Sequence, residues 1–99
     1  MKLIVGKNDS GKTRELIKQS LETDIPIFAL YDSKAASLKA KSIYYFNKQV
    51  RVVTADDLAN GNYAGEILVD DLEKVFTVLL ADFTRTSALE VAGATITED

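Results

Sequence analysis

The sequence contains no cysteine and no histidine among its 99 residues. These absences exclude disulfides, thiolate nucleophiles, zinc sites built on sulfur or imidazole, and catalytic pairs of serine or cysteine with histidine. Any metal ion must therefore be bound by oxygen ligands, which favours Mg²⁺ over zinc or copper.

Long hydrophobic runs are also missing. No stretch of about 18 apolar residues occurs, so no membrane-spanning helix is predicted. The chain begins MKLIVGKND, where the apolar stretch is only Leu3 to Val5, too short for a signal peptide. We therefore expect a cytoplasmic protein without a membrane partner.

The composition is that of an ordinary globular protein, with 46% hydrophobic and 27% charged residues, and its length predicts a single domain over residues 1–99. The net charge of −3 is unevenly distributed. Residues 1–55 contain ten Lys and Arg against five Asp and Glu, whereas residues 56–99 contain two against ten. Surfaces of opposite sign make head-to-tail self-association, or binding to a protein partner, electrostatically favourable.

Short apolar runs alternate with segments of helical periodicity. The predicted strands are Lys2–Val5, stopped by Gly6, then Ile27–Tyr31, Gln49–Thr54, Ile67–Val69 and Leu89–Thr95; the predicted helices are Thr13 to about Glu22, Lys34–Phe46 capped by Ser33, a turn at Asp56–Ala59, and Leu72–Phe83. This alternation predicts an α/β fold of three layers, with helices on both faces of a mostly parallel sheet of about five strands.

One motif dominates the functional interpretation. Residues 6–13, GKNDSGKT, fit the pattern G-x-x-x-x-G-K-[ST] at every fixed position, between a predicted strand and a predicted helix. This segment resembles the P-loop, or Walker A motif, of nucleotide-binding proteins. The alternative is a glycine turn followed by an exposed lysine.

The motif predicts a role for each residue type. Backbone N–H groups of the loop and the positive end of the following helix would bind phosphates. The Lys12 side chain would contact the β- and γ-phosphates, and the Thr13 hydroxyl would ligate Mg²⁺. The predicted nucleotide-binding residues are Gly6, Lys7, Asn8, Asp9, Ser10, Gly11, Lys12, Thr13 and Arg14.

A second acidic element follows the strand Ile67–Val69. Asp70 resembles the Walker B aspartate of P-loop NTPases and would hold Mg²⁺ through water, opposite Thr13. Asp71 occupies the position where additional-strand ATPases carry a catalytic glutamate, so Asp71 and Lys12 are the candidate catalytic residues. The alternative is that the two acids stabilise the N-terminus of the next helix.

The last predicted strand resembles the sensor strand of AAA-type ATPases and helicases. In those families this strand lies between the P-loop strand and the Walker B strand, and a polar residue at its end senses the γ-phosphate. Thr95 or Thr97 would have that role. The alternative is an ordinary core strand.

Together these resemblances extend over nearly the whole chain and indicate the RecA-like or additional-strand branch of P-loop NTPases, as a short, minimal member. The resemblance implies ATP or another nucleoside triphosphate, with Mg²⁺, as ligand. Because no lid or second domain is recognisable, we expect low base selectivity and slow hydrolysis unless a partner completes the site. Arg85 and Arg14 are the candidates for an arginine supplied to a neighbouring nucleotide.

A basic stretch from Lys34 to Arg51, with aromatic residues inside it, raises a nucleic-acid interpretation. The acidic pI of about 4.9 argues against it. The leading hypothesis is a nucleotide-binding protein with weak or partner-dependent ATPase activity. The alternatives are a non-hydrolysing regulatory or assembly module, and a small-molecule kinase with Asp32 as base.

Overall fold

The computed structural model describes residues 2–7, 10–75 and 89–98, in which strands and helices alternate. The strands are β1 (Lys2–Lys7), β2 (Ile27–Ala29), β3 (Val52–Thr54), β4 (Gly65–Val69) and β5 (Leu89–Glu98); the helices are α1 (Lys12–Thr23), α2 (Asp32–Phe46), α3 (Ala55–Ala59) and α4 (Leu72–Val75).

The described strands form one sheet in the order β1-β5-β4-β2-β3, and every pairing between them is parallel. The predicted α/β class is therefore confirmed, with a fully parallel sheet in place of a mostly parallel one. β5, the last strand of the chain, lies between β1 and β4. Both neighbours of β5 thus end at the same edge of the sheet as β5 itself.

The central strands β2 and β4 bury hydrophobic residues on both faces of the sheet, as parallel strands commonly do. On one face Ile27, Ala29 and Leu68 pack against buried residues of α1 and α2, which include Leu16 and Leu38. On the other face Phe28, Ile67 and Val69 pack with Leu58 of α3. The alternation of adjacent residues between the two clusters follows from the two-residue repeat of a strand.

A β-bulge in β5 changes its alignment with β4. Ile67 is opposite Val91, but the next residue, Leu68, is opposite Gly93, so Ala92 is an extra residue in β5. A Cβ atom at position 93 would lie 3.0 Å from the Leu68 side chain and 2.9 Å from that of Gln19. Glycine at this position therefore allows close packing of α1 and β4 on β5.

Two helices end at residues with left-handed backbone conformation. Asp24 follows α1 with φ 58°, and Asn47 follows α2 with φ 55°. Aspartate and asparagine adopt this conformation more readily than most residues. α3 begins with a capping box, in which the Thr54 side chain accepts from the Asp57 backbone and the Asp57 side chain accepts from the Thr54 backbone.

Several predicted boundaries are wrong by a few residues. β1 continues through Gly6 to Lys7, because pairing with β5 extends over all six residues. α2 begins at Asp32, with Tyr31 at the N-cap, so the predicted Ser33 cap is wrong. An acidic side chain at Asp32 is favourable in the first helical turn.

The other differences concern strand length and the third long helix. β2 ends at Ala29 and β3 begins at Val52, so both are shorter than predicted. Of the predicted helix Leu72–Phe83, α4 covers the first four residues. Residues 76–83 and Arg85 lie outside the described residues. In the part of the chain that the structure describes, no helix is long and apolar enough to span a membrane.

Candidate functional site

The carboxyl ends of β1, β4 and β5 meet beside the N-terminus of α1, where the structure contains a cavity of about 500 Å³. The register fixes this arrangement, since Gly6 is opposite Thr97 and Val69 is opposite Ala94. Twelve described residues line the cavity: Ser10, Gly11, Lys12, Thr13, Arg14, Lys34, Lys41, Tyr45, Asp70, Asp71, Thr95 and Thr97.

Two described groups of the segment 6–13 donate hydrogen bonds to the backbone carbonyl of Lys7. The backbone N–H of Ser10 donates to this oxygen at 3.2 Å, and Nζ of Lys12 donates to it at 2.7 Å. Lys12 is 9% exposed. Its ammonium group is thus held inside the loop by a carbonyl oxygen, which is the kind of neutral acceptor that a phosphate oxygen can replace.

At both glycines of the motif a Cβ atom would be unfavourable, for different reasons. Gly11 has φ 85°, a conformation that strains any residue with a Cβ atom. At Gly6 a Cβ atom would lie 2.5 Å from Oγ of Ser10 and 3.4 Å from Cγ of Lys12. Gly6 therefore allows the two ends of the loop to approach each other.

Helix α1 begins at Lys12 and directs its N-terminus towards the cavity. The N-cap residue is Gly11, which has no side chain to accept hydrogen bonds from the first turn. The first N–H groups of a helix have no intrahelical acceptor and lie at the positive end of the dipole. An anion at this place would be stabilised by both effects.

Asp70 is the centre of the polar network. The hydroxyl of Thr13 donates to the Asp70 carboxylate, at 3.2 Å from Oδ1 and 3.1 Å from Oδ2. The hydroxyl of Thr95 donates to Oδ1 at 2.7 Å and accepts from the backbone N–H of Asp71 at 2.7 Å. Asp70 is 7% exposed and Thr95 is 1% exposed. Thr13 and Asp70, the two predicted Mg²⁺-site residues, thus contact each other directly across 57 positions of sequence, and their role in binding a metal stays a prediction.

A lysine also contacts this carboxylate. Nζ of Lys34, in the first turn of α2, lies 2.7 Å from Oδ2 of Asp70. Burial alone would raise the pKa of Asp70, but the hydrogen bonds from Lys34, Thr95 and Thr13 and the charge of Lys34 outweigh it. The pKa of Asp70 lies below its usual value of 3.8, so the carboxylate is charged at neutral pH.

Asp71 is at the cavity wall with an unusual backbone. Its φ of 62° is left-handed, which costs aspartate and asparagine less than other side chains with a Cβ atom. Its carboxylate pairs with Nζ of Lys74 at 3.3 Å. A conformation of this kind in a cavity is often associated with function. It also accounts for aspartate, rather than the longer glutamate, at this position.

The C-terminal half of α2 also contributes residues to the cavity lining. Cζ of Arg14 lies 5.4 Å from the ring centroid of Tyr45, within the range of a cation–π contact. Lys41 lies one helical turn before Tyr45 and lines the same cavity. The cavity is thus lined by basic residues from the first half of the chain and by Asp70 and Asp71 from the second half. Some of the opposite charges of the two halves are therefore brought together in this cavity.

The structure brings together most of the residues predicted for the site. Ser10 to Arg14, Asp70, Asp71, Thr95 and Thr97 all line the cavity. Lys7 contributes its carbonyl oxygen, while its side chain is exposed. Asn8 and Asp9 lie outside the described residues. Asp32, the candidate base of a kinase, is exposed and is not among the residues that line the cavity.

Sequence reasoning did not assign Lys34, Lys41 and Tyr45 to this site. All three belong to the basic stretch from Lys34 to Arg51, for which the sequence raises nucleic-acid binding instead. Their helical spacing, with Lys34 and Lys41 seven residues apart, indicates one face of α2. Only the adjacency of β2 and β4 in the sheet shows that this face points to Asp70.

The described residues contain no group of three or more acidic, histidine or cysteine side chains able to hold a metal ion by themselves. A metal at this site would therefore need ligands from a bound molecule or from water. Comparison of the chain with protein-family models, curated proteins and solved structures gives no match.

Proposed function

We propose that the chain binds a nucleoside triphosphate with Mg²⁺ in the cavity at the carboxyl ends of β1, β4 and β5, as a minimal protein of the P-loop NTPase type. The observation that carries the proposal is the contact of Thr13 with Asp70 at 3.1 Å, beside the loop that holds Lys12. A hydroxyl and a charged carboxylate are brought together there from distant parts of the chain. Chance similarity of the loop motif does not account for this convergence.

The residues present fit Mg²⁺. This ion prefers oxygen ligands and is commonly bound by one or two protein groups, with substrate phosphates and water completing the octahedron. The Thr13 hydroxyl and the Asp70 carboxylate supply the protein share, and the lowered pKa of Asp70 keeps it ionised. Bound Mg²⁺ would neutralise charge on the phosphates.

The loop and α1 would bind the phosphates. Lys12 would exchange the Lys7 carbonyl for a phosphate oxygen, so that its ammonium group would contact a charged acceptor instead of a neutral one. The N-terminus of α1 would add its unpaired N–H groups. Gly6 and Gly11 would leave the backbone accessible to the anion, since a Cβ atom at position 6 would crowd the loop.

Hydrolysis would be slow in the isolated chain. Efficient catalysis of this reaction needs an oriented water molecule and neutralisation of charge on the transferred phosphoryl group. Asp71 is the candidate for orienting water, but its carboxylate pairs with Lys74. A partner or second copy that supplied a cation would raise the rate.

Thermal unfolding with Mg²⁺-ATP, Mg²⁺-ADP and Mg²⁺-GTP tests the proposal. A ligand present at about 100 times its Kd stabilises the folded state by about 2.7 kcal/mol. For a domain of this size, that corresponds to a rise in Tm of roughly 10–20 °C. The variant Lys12→Ala should lose the rise in Tm, whereas Lys18→Ala, on the exposed face of the same helix, should keep it.

Calorimetry gives a second readout. Lys12→Ala should unfold at nearly the Tm of the unmodified chain without ligand, while its affinity for Mg²⁺-ATP becomes too weak to measure. Equal affinity of Lys12→Ala and Lys18→Ala for Mg²⁺-ATP would overturn the proposal.

A non-hydrolysing switch is the second candidate, and the Asp71–Lys74 ion pair favours it, because a paired carboxylate is less available to polarise water. Phosphate release measured on the same samples separates the two. Nucleotide-dependent stabilisation without phosphate release would identify a switch, and release above the background of Lys12→Ala would identify an NTPase.

A further inference from the structure

Lys34 occupies the place on Asp70 that a metal ion would need. Its Nζ atom lies 2.7 Å from Oδ2, and the two hydroxyl groups of Thr13 and Thr95 complete the contacts of the carboxylate. The lysine side chain is 37% exposed, whereas that of Asp70 is 7% exposed. The Lys34 side chain can therefore move away from the ion pair, whereas the buried Asp70 side chain cannot.

A divalent cation at Asp70 and the Lys34 ammonium at Oδ2 would compete for the same carboxylate. The two positive charges would repel each other at a separation of a few Å in a partly buried site, where screening by water is weak. Thr13 and Asp70 are the residues proposed to bind Mg²⁺. Binding of the metal thus requires Lys34 to move away from Oδ2.

The structure offers two places for the released side chain. Lys34 lines the main cavity together with Lys12, and it also lines a smaller cavity of about 210 Å³ with Phe28, Leu30, Tyr31, Asp70, Asp71 and Lys74. Lys74, which pairs with Asp71, also lines the smaller cavity, and repulsion between the two ammonium groups disfavours Lys34 there. The main cavity would contain the anionic phosphates.

We infer that Lys34 is a displaceable cation: it pairs with Asp70 in the metal-free protein, leaves Asp70 when Mg²⁺ binds, and then pairs with the terminal phosphate of the nucleotide. This inference rests on the proposed function. It makes Lys34 a positioning residue for Asp70 in one state and a phosphate-binding residue in the other.

The exchange has an energetic consequence. When Mg²⁺ binds without nucleotide, the Lys34–Asp70 ion pair breaks and Lys34 gains no new anionic partner. The nucleotide-free protein therefore binds Mg²⁺ weakly. Metal with a nucleoside triphosphate provides a new partner for Lys34. Each ligand thereby increases the affinity for the other, as reciprocal coupling requires.

Binding of Mn²⁺ without nucleotide, followed by electron paramagnetic resonance, tests the first half. Lys34→Met removes the competing charge at similar side-chain length, and Lys34→Gln does so while keeping a hydrogen-bond donor for Asp70. Both should bind Mn²⁺ about tenfold more tightly than the unmodified chain, since one unit charge next to the ligand is removed. The matched control Lys41→Met, which removes one charge from the same cavity, should change the affinity less than about twofold.

The outcomes of this experiment are distinct. If both Lys34 variants, folded by circular dichroism, bind Mn²⁺ no more tightly than the unmodified chain, the inference is wrong. An equal gain in Lys41→Met would also contradict it, because the effect would then come from net charge rather than from the Asp70 contact.

Amine labelling of the unmodified chain tests the second half without any variant. Reductive methylation of Lys34, measured by mass spectrometry against exposed Lys39, should increase with Mg²⁺ alone, as the ammonium leaves Asp70. It should decrease with Mg²⁺-ATP, as the ammonium pairs with phosphate. Labelling of Lys34 that does not respond to either ligand would overturn the inference.

Failure of the proposed function would give a different pattern. In that case nucleotides would affect neither Tm nor Lys34 labelling, while the Lys34 variants would still bind Mn²⁺ more tightly. If the proposed function holds and only this inference fails, Mg²⁺-ATP would stabilise the chain and Lys34→Met would bind it as tightly as the unmodified chain does.

Discussion

The hydroxyl group of Thr95 donates a hydrogen bond of 2.7 Å to Oδ1 of Asp70, and both side chains are almost completely buried. The same hydroxyl accepts a hydrogen bond from the backbone of Asp71. One side chain of β5 thus satisfies both the charged group and the backbone that follow β4. This relationship fixes the carboxylate on which the site depends.

Replacement Thr95→Val should destabilise the fold. Valine has nearly the same shape but leaves two buried polar groups with one partner fewer each, which typically costs about 1–3 kcal/mol. Urea unfolding measures the change. The control Thr97→Val, at a half-buried position two residues further along β5, should change the free energy of unfolding by less than about 0.5 kcal/mol. Equal effects of the two replacements would remove the structural role assigned to Thr95.

Replacement Gly6→Ala should affect ligand binding more than stability. The new Cβ atom would displace the exposed Ser10 side chain, which can rotate away at small cost, so a loss of less than about 1 kcal/mol in unfolding free energy is expected. The loop would be narrower, and Mg²⁺-ATP affinity should fall about tenfold, which is a cost of about 1.4 kcal/mol. Calorimetry measures this affinity. The double variant Gly6→Ala with Ser10→Ala should recover part of the lost affinity, because the Ser10 hydroxyl that meets the new Cβ atom is removed. A destabilised fold with normal affinity would contradict this account.

The left-handed backbone of Asp71 predicts opposite effects of two replacements on stability. Asp71→Gly relieves the strain at φ 62° and should leave the free energy of unfolding equal or higher, despite loss of the ion pair with exposed Lys74. Asp71→Glu should lower it by about 0.5–1 kcal/mol, because a longer side chain tolerates this conformation less well. Urea unfolding checks both, and the reverse order would show that Asp71 is not strained.

Three variants at the same position report on catalysis. If Asp71 orients the attacking water, phosphate release should fall to background in Asp71→Gly and in Asp71→Ala, and should persist in Asp71→Glu. If the chain is a switch without turnover, all three variants should equal the unmodified chain. A colorimetric phosphate assay, with Lys12→Ala as background, distinguishes these results.

The capping box of α3 predicts a contribution to stability that depends on pH. The hydrogen bond from the Thr54 backbone is the main cause that lowers the pKa of Asp57 below its usual 3.8, and it outweighs the opposing effect of burial. A carboxylate with a lowered pKa in the folded state stabilises that state above the unfolded pKa, and this contribution is lost as pH falls through the folded pKa.

Asp57→Asn should therefore reduce the loss of stability on acidification. Urea unfolding between about pH 5 and about pH 2 should give a shallower decrease for Asp57→Asn than for the unmodified chain. Asp56→Asn, on the exposed side of the same helix, should keep the original slope. Identical slopes for both variants would mean that Asp57 does not titrate differently in the folded state.

The fold class could be predicted from the sequence because local patterns specify it. Continuous apolar runs at Ile27–Ala29 and Ile67–Val69 and the helical periodicity around Leu16 and Leu38 are each visible within a few residues. Boundaries were less accurate at Lys7 and Asp32, since strand pairing and side-chain docking decide where an element ends. The β-bulge at Ala92 could not be predicted, because it depends on the approach of Gln19 and Leu68 to Gly93.

The sequence by itself determined the alternation of strands and helices, the phosphate-binding pattern of residues 6–13 and the acidic end of β4, because these features depend on residue type and local spacing. The position of β5 between β1 and β4 is the one that the resemblance of the last strand to a sensor strand implied. Only the tertiary structure decided that β2 lies beside β4, and that Thr95 and Lys34 both contact Asp70. The order of strands in a parallel sheet results from the packing of helices over both faces, and no local pattern encodes it. The central carboxylate and its neighbour Thr13 could therefore be proposed from the sequence, but its contacts with Thr95 and Lys34 could not.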